Sequence, residues 1–410
     1  MDVQTAGLVL ITNCMRLSLP EPSRNIFDHP VLGYGFRPFF ILAALYSIAS
    51  LLIWAGFYAG YVAPPLFMLD PVSWHAHEMI YGYTMAIVAG FLLTAVANWT
   101  DCTPVSGLHL LGLCLLWLAG RVVMNFDLGF PDVAVLAFEG AFILALAFSL
   151  SVPLFKTWDK RNFVFLVLLS ILLACDMVFL ITKEKASLYV AVMIIVTMIS
   201  LIGGRIIPAF TVDALQERGE EAHETPQGKL DVLAILSLVL IILALVFVKQ
   251  EKAILAGTAF LATIIHALRL RRYHTLRILN DPMVWILHIG YSWVILGLFL
   301  TGISALGFLP FSIALHAFTA GAIGSMTIGM MCRVTLGHTG RDKIATNLTT
   351  LSFFLMQGAA VIRVFGLMIA PDYSKELIIG SATLWVLCFA LYILIYAPML
   401  WKPDLDEMVD

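Results

Sequence analysis

Charge is what this sequence has least of. Only 12% of its 410 residues are Asp, Glu, Lys or Arg, while 61% are hydrophobic; ordinary soluble domains carry roughly 25% charge. A water-facing globular fold of this length could not clothe its surface from such a pool, so that architecture is excluded. The 24 basic and 27 acidic residues leave a net charge of -3, which provides no basic footprint for nucleic acid. Cysteine is sparse too. The six (Cys14, Cys102, Cys114, Cys175, Cys332, Cys388) are scattered, and no CxxC occurs. Zinc-ribbon, thioredoxin and c-type haem signatures are therefore absent. At the N-terminus, Asp2 and the lack of a basic stretch ahead of a clean apolar core argue against a cleaved signal peptide.

What the chain has in abundance is long apolar runs. A membrane-spanning helix needs about 20 mostly apolar residues. Windows of that size fall at 39–60, 76–98, 105–123, 133–154, 163–181, 187–204, 230–248, 253–270, 283–304, 312–332, 347–369 and 377–400. Pro64-Pro65, Asp70-Pro71, Pro104, Pro131-Asp132, Pro153, Asp281-Pro282 and Pro310 punctuate their ends. The pattern predicts an all-α polytopic membrane bundle of about 12 helices. Alternate connections hold 17 of the 24 Lys and Arg residues on the side of the N-terminus. By the positive-inside rule this predicts that both termini are cytoplasmic. The expected organisation is a cytoplasmic segment (1–36), a first six-helix half (37–210), a polar cytoplasmic loop (211–229), a second six-helix half (230–400) and a tail (401–410). No sequence repeat relates the halves.

An ionisable group inside hydrocarbon is costly and points to function. Here such groups are mainly histidines. Span direction sorts them into an outer group (His75, His77, His316) and an inner group (His266, His288, His338). His29, His109, His223 and His274 read as peripheral. Neutral imidazole is the donor expected for haem iron or copper. His75 and His77 lie two residues apart, so on a regular helix they point roughly 200° from one another. They face one centre only if the span begins near His77. Glu78 is placed to orient one of them. The bland alternative is a polar cap at the membrane interface.

Ala317, Gly321, Ser325, Gly329 and Arg333 recur every fourth residue of the tenth span. Such a ridge suits close helix packing, or a flat macrocycle with Arg333 toward a propionate. Arg37 and Arg205 sit at other inner ends, where topology alone accounts for them; Arg121 and Arg363, near outer ends, are unexplained by it. The main intramembrane acids are Glu78, Glu139 and Asp176. Tyr291 follows His288 by three residues on the same helix face, a phenol beside an imidazole.

The segments GFRPFF (35–40), WHAHEMIYGY (74–83) running on to AGFLLTAVANWT (89–100), GGRIIPAFT (203–211), PMVWILHIGYSW (282–293) and HAFTAGAIGSMTIGMMCRVTLGHTGR (316–341) resemble the signature blocks of the NnrS family. They occur in family order over most of the chain. AVANWT, with no Pro before Asn98, and Cys332 within MMCRV depart from the pattern. The resemblance implies a bacterial inner-membrane protein containing haem and copper and linked to the nitric oxide response, denitrification and resistance to nitrosative stress. It carries His75, His77, Glu78, His288, His316, His338, Arg37, Arg205, Arg333 and Arg341 onto this chain; His266 lies outside the blocks.

The resulting expectation is a protein holding haem b, and copper, on those histidines. It would bind nitric oxide and reduce or detoxify it, with Glu78 and Tyr291 as catalytic candidates and membrane quinol as a possible electron donor. The chain carries no flavin, iron–sulfur or c-haem motif to supply electrons itself. Two other classes stay open. One is a secondary transporter with a histidine- and arginine-lined path. The other is a non-catalytic haem sensor or metal-delivery protein.

Overall fold

The computed structural model describes residues 26–63, 68–226, 228–247 and 252–405. Residues 1–25 of the expected N-terminal segment, and 406–410 of the tail, lie outside the described residues. Twelve helices are long and apolar enough to cross a membrane: α1 (Phe36–Ala59), α2 (Pro71–Thr100), α3 (Gly107–Asn125), α4 (Asp132–Thr157), α5 (Val164–Thr182), α6 (Ala186–Glu217), α7 (Lys229–Phe247), α8 (Lys252–Leu270), α9 (Pro282–Ala305), α10 (Phe311–Gly337), α11 (Asn347–Ile369) and α12 (Pro371–Trp401). Every predicted span is present, and the described residues contain no strand.

Most boundaries shift by a few residues from the hydropathy reading, and two of the shifts have identifiable causes. α2 begins at Pro71 rather than at residue 76. Asp70 caps it, its carboxylate accepting from the Val72 and Ser73 amides at 3.0 and 3.1 Å and from the Ser73 hydroxyl at 2.6 Å. Pro71 occupies the first helical position, where its missing N–H costs nothing. α6 continues to Glu217 instead of stopping at 204, through Pro208. The helix outlasts its apolar stretch because Thr211, Val212, Ala214 and Leu215 are buried against the rest of the bundle. The loop expected over 211–229 shortens accordingly.

Sequence neighbours pack in pairs through most of the bundle, and α1 closes it by packing along α12. α2 is the most enclosed span, 78% buried over its apolar window, whereas α7 is 28% buried and turns Val232, Leu236, Leu240 and Phe247 outward. With lipid as solvent, such an outward apolar face needs no polar cover. α2, α10 and α11 each contain a π-helical stretch, at Glu78–Thr84, Ala317–Ile323 and Ile362–Gly366.

The ridge on α10 is a packing surface. A Cβ at Gly321 would lie 2.4 Å from the ring of Trp293, and one at Gly329 would lie 2.8 Å from Ile286, both on α9. α9 fills the space, which is the close helix packing expected of such a ridge.

Arg37 ties the two ends of the described chain together. It is 2% exposed and donates to the carbonyls of Leu400 (3.0 Å) and Lys402 (2.7 Å) and to the carboxylate of Asp404. This fastens α1 to the end of α12 and the segment after it. Removing it leaves several buried acceptors unpaired at once. Arg37→Ala is therefore expected to cost about 3 kcal/mol or more, read as a lowered thermal unfolding midpoint in detergent. Asp404→Ala, which keeps both carbonyl bonds, is expected to cost distinctly less.

Candidate functional site

Because α2 starts at Pro71, His75 and His77 both lie in regular helix and point to opposite sides of it. Each faces a different polar site at the end of the bundle remote from Arg37.

His75 faces a cavity of about 250 Å³ that also takes His316 from α10 and Arg363 from α11. α1 contributes Trp54, whose indole stacks on the His75 ring at 4.2 Å between centroids and 7° between planes. This contact fixes the ring, yet among the described residues His75 makes no hydrogen bond, and its Nδ1 is buried without a partner there. His316 is held differently. Its Nδ1 lies 2.6 Å from the Ser312 carbonyl, which can accept only a proton from the ring. Nε2 of His316 therefore carries the lone pair. Arg363 has no hydrogen-bond or ion-pair partner among the described residues, and its charge acts on both imidazoles. No acidic side chain lines the cavity, although Lys185 does, paired at the rim with Asp70 at 3.7 Å. The π-helical stretches of all three helices contribute to its wall, through Met79, Ile80 and Tyr83, through Thr319 and Ala320, and through Arg363.

The opposite face of α2 has the reverse character. His77 Nδ1 lies 2.8 Å from Glu78 Oε1, and its Nε2 lies 3.0 Å from Asp176 Oδ1 on α5 and 3.8 Å from Glu139 Oε1 on α4. Arg121 of α3 donates to both oxygens of Glu78 at 2.7 Å and also to Glu139. Tyr46 and Asn125 donate to Glu78 as well. All the charged members are at most 5% exposed. His77 thus belongs to this cluster and not to a centre with His75 and His316, as the outer grouping had it.

The inner histidines do not converge either. His288 places Nε2 at 2.8 Å from the Thr211 hydroxyl and Nδ1 at 2.9 Å from that of Thr275. His266 pairs with Tyr291 at 2.8 Å, so the phenol expected beside His288 serves His266 instead. Arg269 donates to the same phenol at 3.0 Å and to Asp231 at 2.8 Å. His338 ends α10 against Phe36, with ring centroids 5.6 Å apart, and burial pushes its pKa down. Arg333 lies 3.8 Å over the ring of Phe210. Arg205 donates to Asn162 at 2.7 Å, and Arg341 to the Thr339 carbonyl at 2.9 Å. His266 and His288 are linked through Tyr291 and Tyr273, whose rings pack between them, while Arg333 keeps its Nε buried without a hydrogen-bond partner among the described residues.

Arg121, Glu139, Asp176 and Arg363 are the site residues that the histidine-led reading left out. The signal for the two arginines was their position at ends where topology does not ask for cations. The two carboxylates stood out only as acids within apolar runs.

The fold and these enclosed polar sites define a polytopic helical membrane protein built around buried ionisable groups. A family model described as NnrS protein matches residues 30–404, nearly the whole chain. The protein belongs to the NnrS family. No curated protein matches it.

Arg121 is the one cation among the acids of the second cluster. Arg121→Met is expected to destabilise the protein by about 3–5 kcal/mol, because Glu78 and Glu139 lose their shared partner in a dry place. Arg121→Lys is expected to recover part of the loss, since a point charge cannot bridge both carboxylates as a planar fork does. Thermal unfolding in detergent checks both; an unchanged midpoint for Arg121→Met would show that this guanidinium does not hold the cluster together.

Proposed function

We propose that this NnrS-family protein binds haem b in the cavity between α2 and α10, with His75 and His316 as imidazole donors, and takes up nitric oxide there. Membership of the family supports a membrane protein of the nitric oxide response. The observation that carries the haem reading is the donor set of the cavity. Two imidazoles with uncommitted ring nitrogens share an apolar space with an unpaired arginine and no acid. A cation without a counter-ion inside a membrane protein calls for an anionic guest. A tetrapyrrole brings apolar faces, carboxylates for Arg363 and Lys185, and a metal for imidazole.

Ferrous haem supplies a site at which nitric oxide binds. The chain's own part is to position and to exclude. The Ser312 carbonyl holds the His316 Nδ1–H, which fixes the tautomer and turns Nε2 outward as a donor. Trp54 holds the plane of His75. A smaller apolar cavity of about 80 Å³ shares Thr84 and Ile323 with the first and extends between α2, α6 and α10. It offers a small, weakly polar gas a dry space beside the site. The Lys and Arg distribution supports placing this end of the bundle toward the periplasm of a bacterial inner membrane. Copper finds no comparable fit: among the described residues no cluster of three or more imidazoles or thiols forms, and no step is derived through it.

The test is an optical spectrum of the purified protein, oxidised and reduced. His75→Ala and His316→Ala are expected to lose or shift the Soret band, and Arg363→Met to lower haem occupancy. His266→Ala and His288→Ala are expected to keep it. Wild-type protein without a Soret band, or loss of the band in His288→Ala but not in His316→Ala, overturns the assignment. Anaerobic consumption of nitric oxide with a quinol donor then separates a reductase from a sensor, which binds the gas without consuming it.

A further inference from the structure

The cluster on the other face of α2 plays no part in that reading, and its protons and charges do not balance. Glu78 receives hydrogen bonds from Arg121, Tyr46 and Asn125. A carboxylate so surrounded by donors is an acceptor only, so the hydrogen bond to His77 Nδ1 is donated by the ring. With Nδ1 carrying the proton of a neutral imidazole, Nε2 presents a lone pair. That lone pair faces Asp176 Oδ1 at 3.0 Å and Glu139 Oε1 at 3.8 Å. Lone pairs of three donors thus face one another; Arg121 reaches Glu139 Oε1, and nothing positive lies between His77 Nε2 and Asp176 Oδ1 among the described residues.

The charge count gives the same result independently. Glu78, Glu139 and Asp176 bring three negative charges and Arg121 one positive charge, so with neutral His77 the fully ionised cluster is two charges negative. It lies inside a membrane-spanning bundle, where an uncompensated charge is expensive. Glu139 Oε2 and Asp176 Oδ2 are also buried without any hydrogen-bond partner. Glu139 Oε2 packs against Gly120 of α3, where a Cβ would come within 2.8 Å of it. One His and two carboxylate donors, all within 4.8 Å of one another, are what a small cation needs.

We propose that His77, Glu139 and Asp176 bind a divalent metal ion, with Glu78 orienting His77 and Arg121 bridging the two glutamates. A charge of two on the ion cancels the excess on the cluster. A carboxylate that takes the far ring N–H of a ligating histidine is the usual support for such a donor. One imidazole with two carboxylates is a borderline-to-hard set, which favours Mn2+, Fe2+ or Zn2+ over an ion that seeks thiolate or several imidazoles. The site rests on different residues from the haem cavity and stands apart from it.

The experiment uses full-length protein produced with added Mn2+ and purified in detergent without chelators. Elemental analysis of the wild type is expected to give about one manganese per chain, by the count of one donor group. Pulsed electron paramagnetic resonance is expected to show a single imidazole nitrogen coupled to it. The isosteric variants Asp176→Asn and Glu139→Gln are expected to lose the manganese while keeping the Soret band. Four outcomes overturn the proposal: wild-type protein with no bound manganese, no nitrogen coupling in the wild type, variants that keep full occupancy, or copper alone at these residues. The wild-type coupling decides the matter even where a variant does not fold. Loss of the Soret band from the wild type would count against the haem reading without touching this one.

Discussion

The structure turns on where α2 begins. Asp70 satisfies the first amides and Pro71 sets the first helical residue, so the helix is already regular when it reaches His75 and His77. Two residues along an α-helix is a turn of roughly 200°. That angle sends one imidazole toward α10 and α11 and the other toward α3, α4 and α5. A start five or six residues later would have left His75 in a connecting turn, free to share a centre with His77. Helix capping at the membrane surface, a local effect, thereby determines that there are two sites and not one.

The two sites are opposites in charge, and α2 keeps them apart. The cavity holds Arg363 and Lys185 and no acid; the cluster behind His77 holds three acids and one arginine. In water such imbalances would be screened within about 10 Å at moderate salt. In a bundle surrounded by hydrocarbon they are not, so each site must find its compensation locally. The cavity is short of negative charge and wide enough for an organic guest. The cluster is short of positive charge, and its donor atoms lie within 4.8 Å of one another. Arg363 and Asp176 do not neutralise each other because a whole helix, the most enclosed in the bundle, lies between their sites.

The spans were legible in the sequence because hydropathy and length suffice for them in a membrane. All twelve are present, and the errors fall where something other than hydropathy decides. At α2 a capping carboxylate started the helix early, and at α6 tertiary burial of Thr211 and Leu215 carried it past its apolar stretch. Of the histidines singled out, His77, His266 and His288 are buried and the other three are half-buried, but depth alone misgrouped them. Depth is one coordinate, and whether side chains meet depends also on the direction each helix face takes. His288 and His266 lie at similar depth, yet one is held between two threonines and the other by a tyrosine. Small residues at every fourth place on α10 correctly signalled close approach. The sequence could not say whether a cofactor or Trp293 would fill it.

The π-helical stretches explain how one bundle accommodates a cavity at all. A π turn widens the helix by one residue and leaves backbone groups misaligned with their usual partners. Here side chains take up the slack: the Thr84 hydroxyl donates to the Met79 carbonyl at 2.7 Å, and the Trp117 indole donates to the Gly82 carbonyl at 3.0 Å. Such repairs matter more in a membrane than in water, because no solvent reaches the freed groups. Three of the helices around the cavity carry such a stretch at the cavity's own depth. Regular helices with full side chains would pack that volume closed, as α9 and α10 do at Gly321 and Gly329. The irregular turns offset their cost by holding apart the walls on which His75, His316 and Arg363 stand. Within that space His75 Nδ1 stays without a hydrogen-bond partner among the described residues, as regular close packing would not leave it.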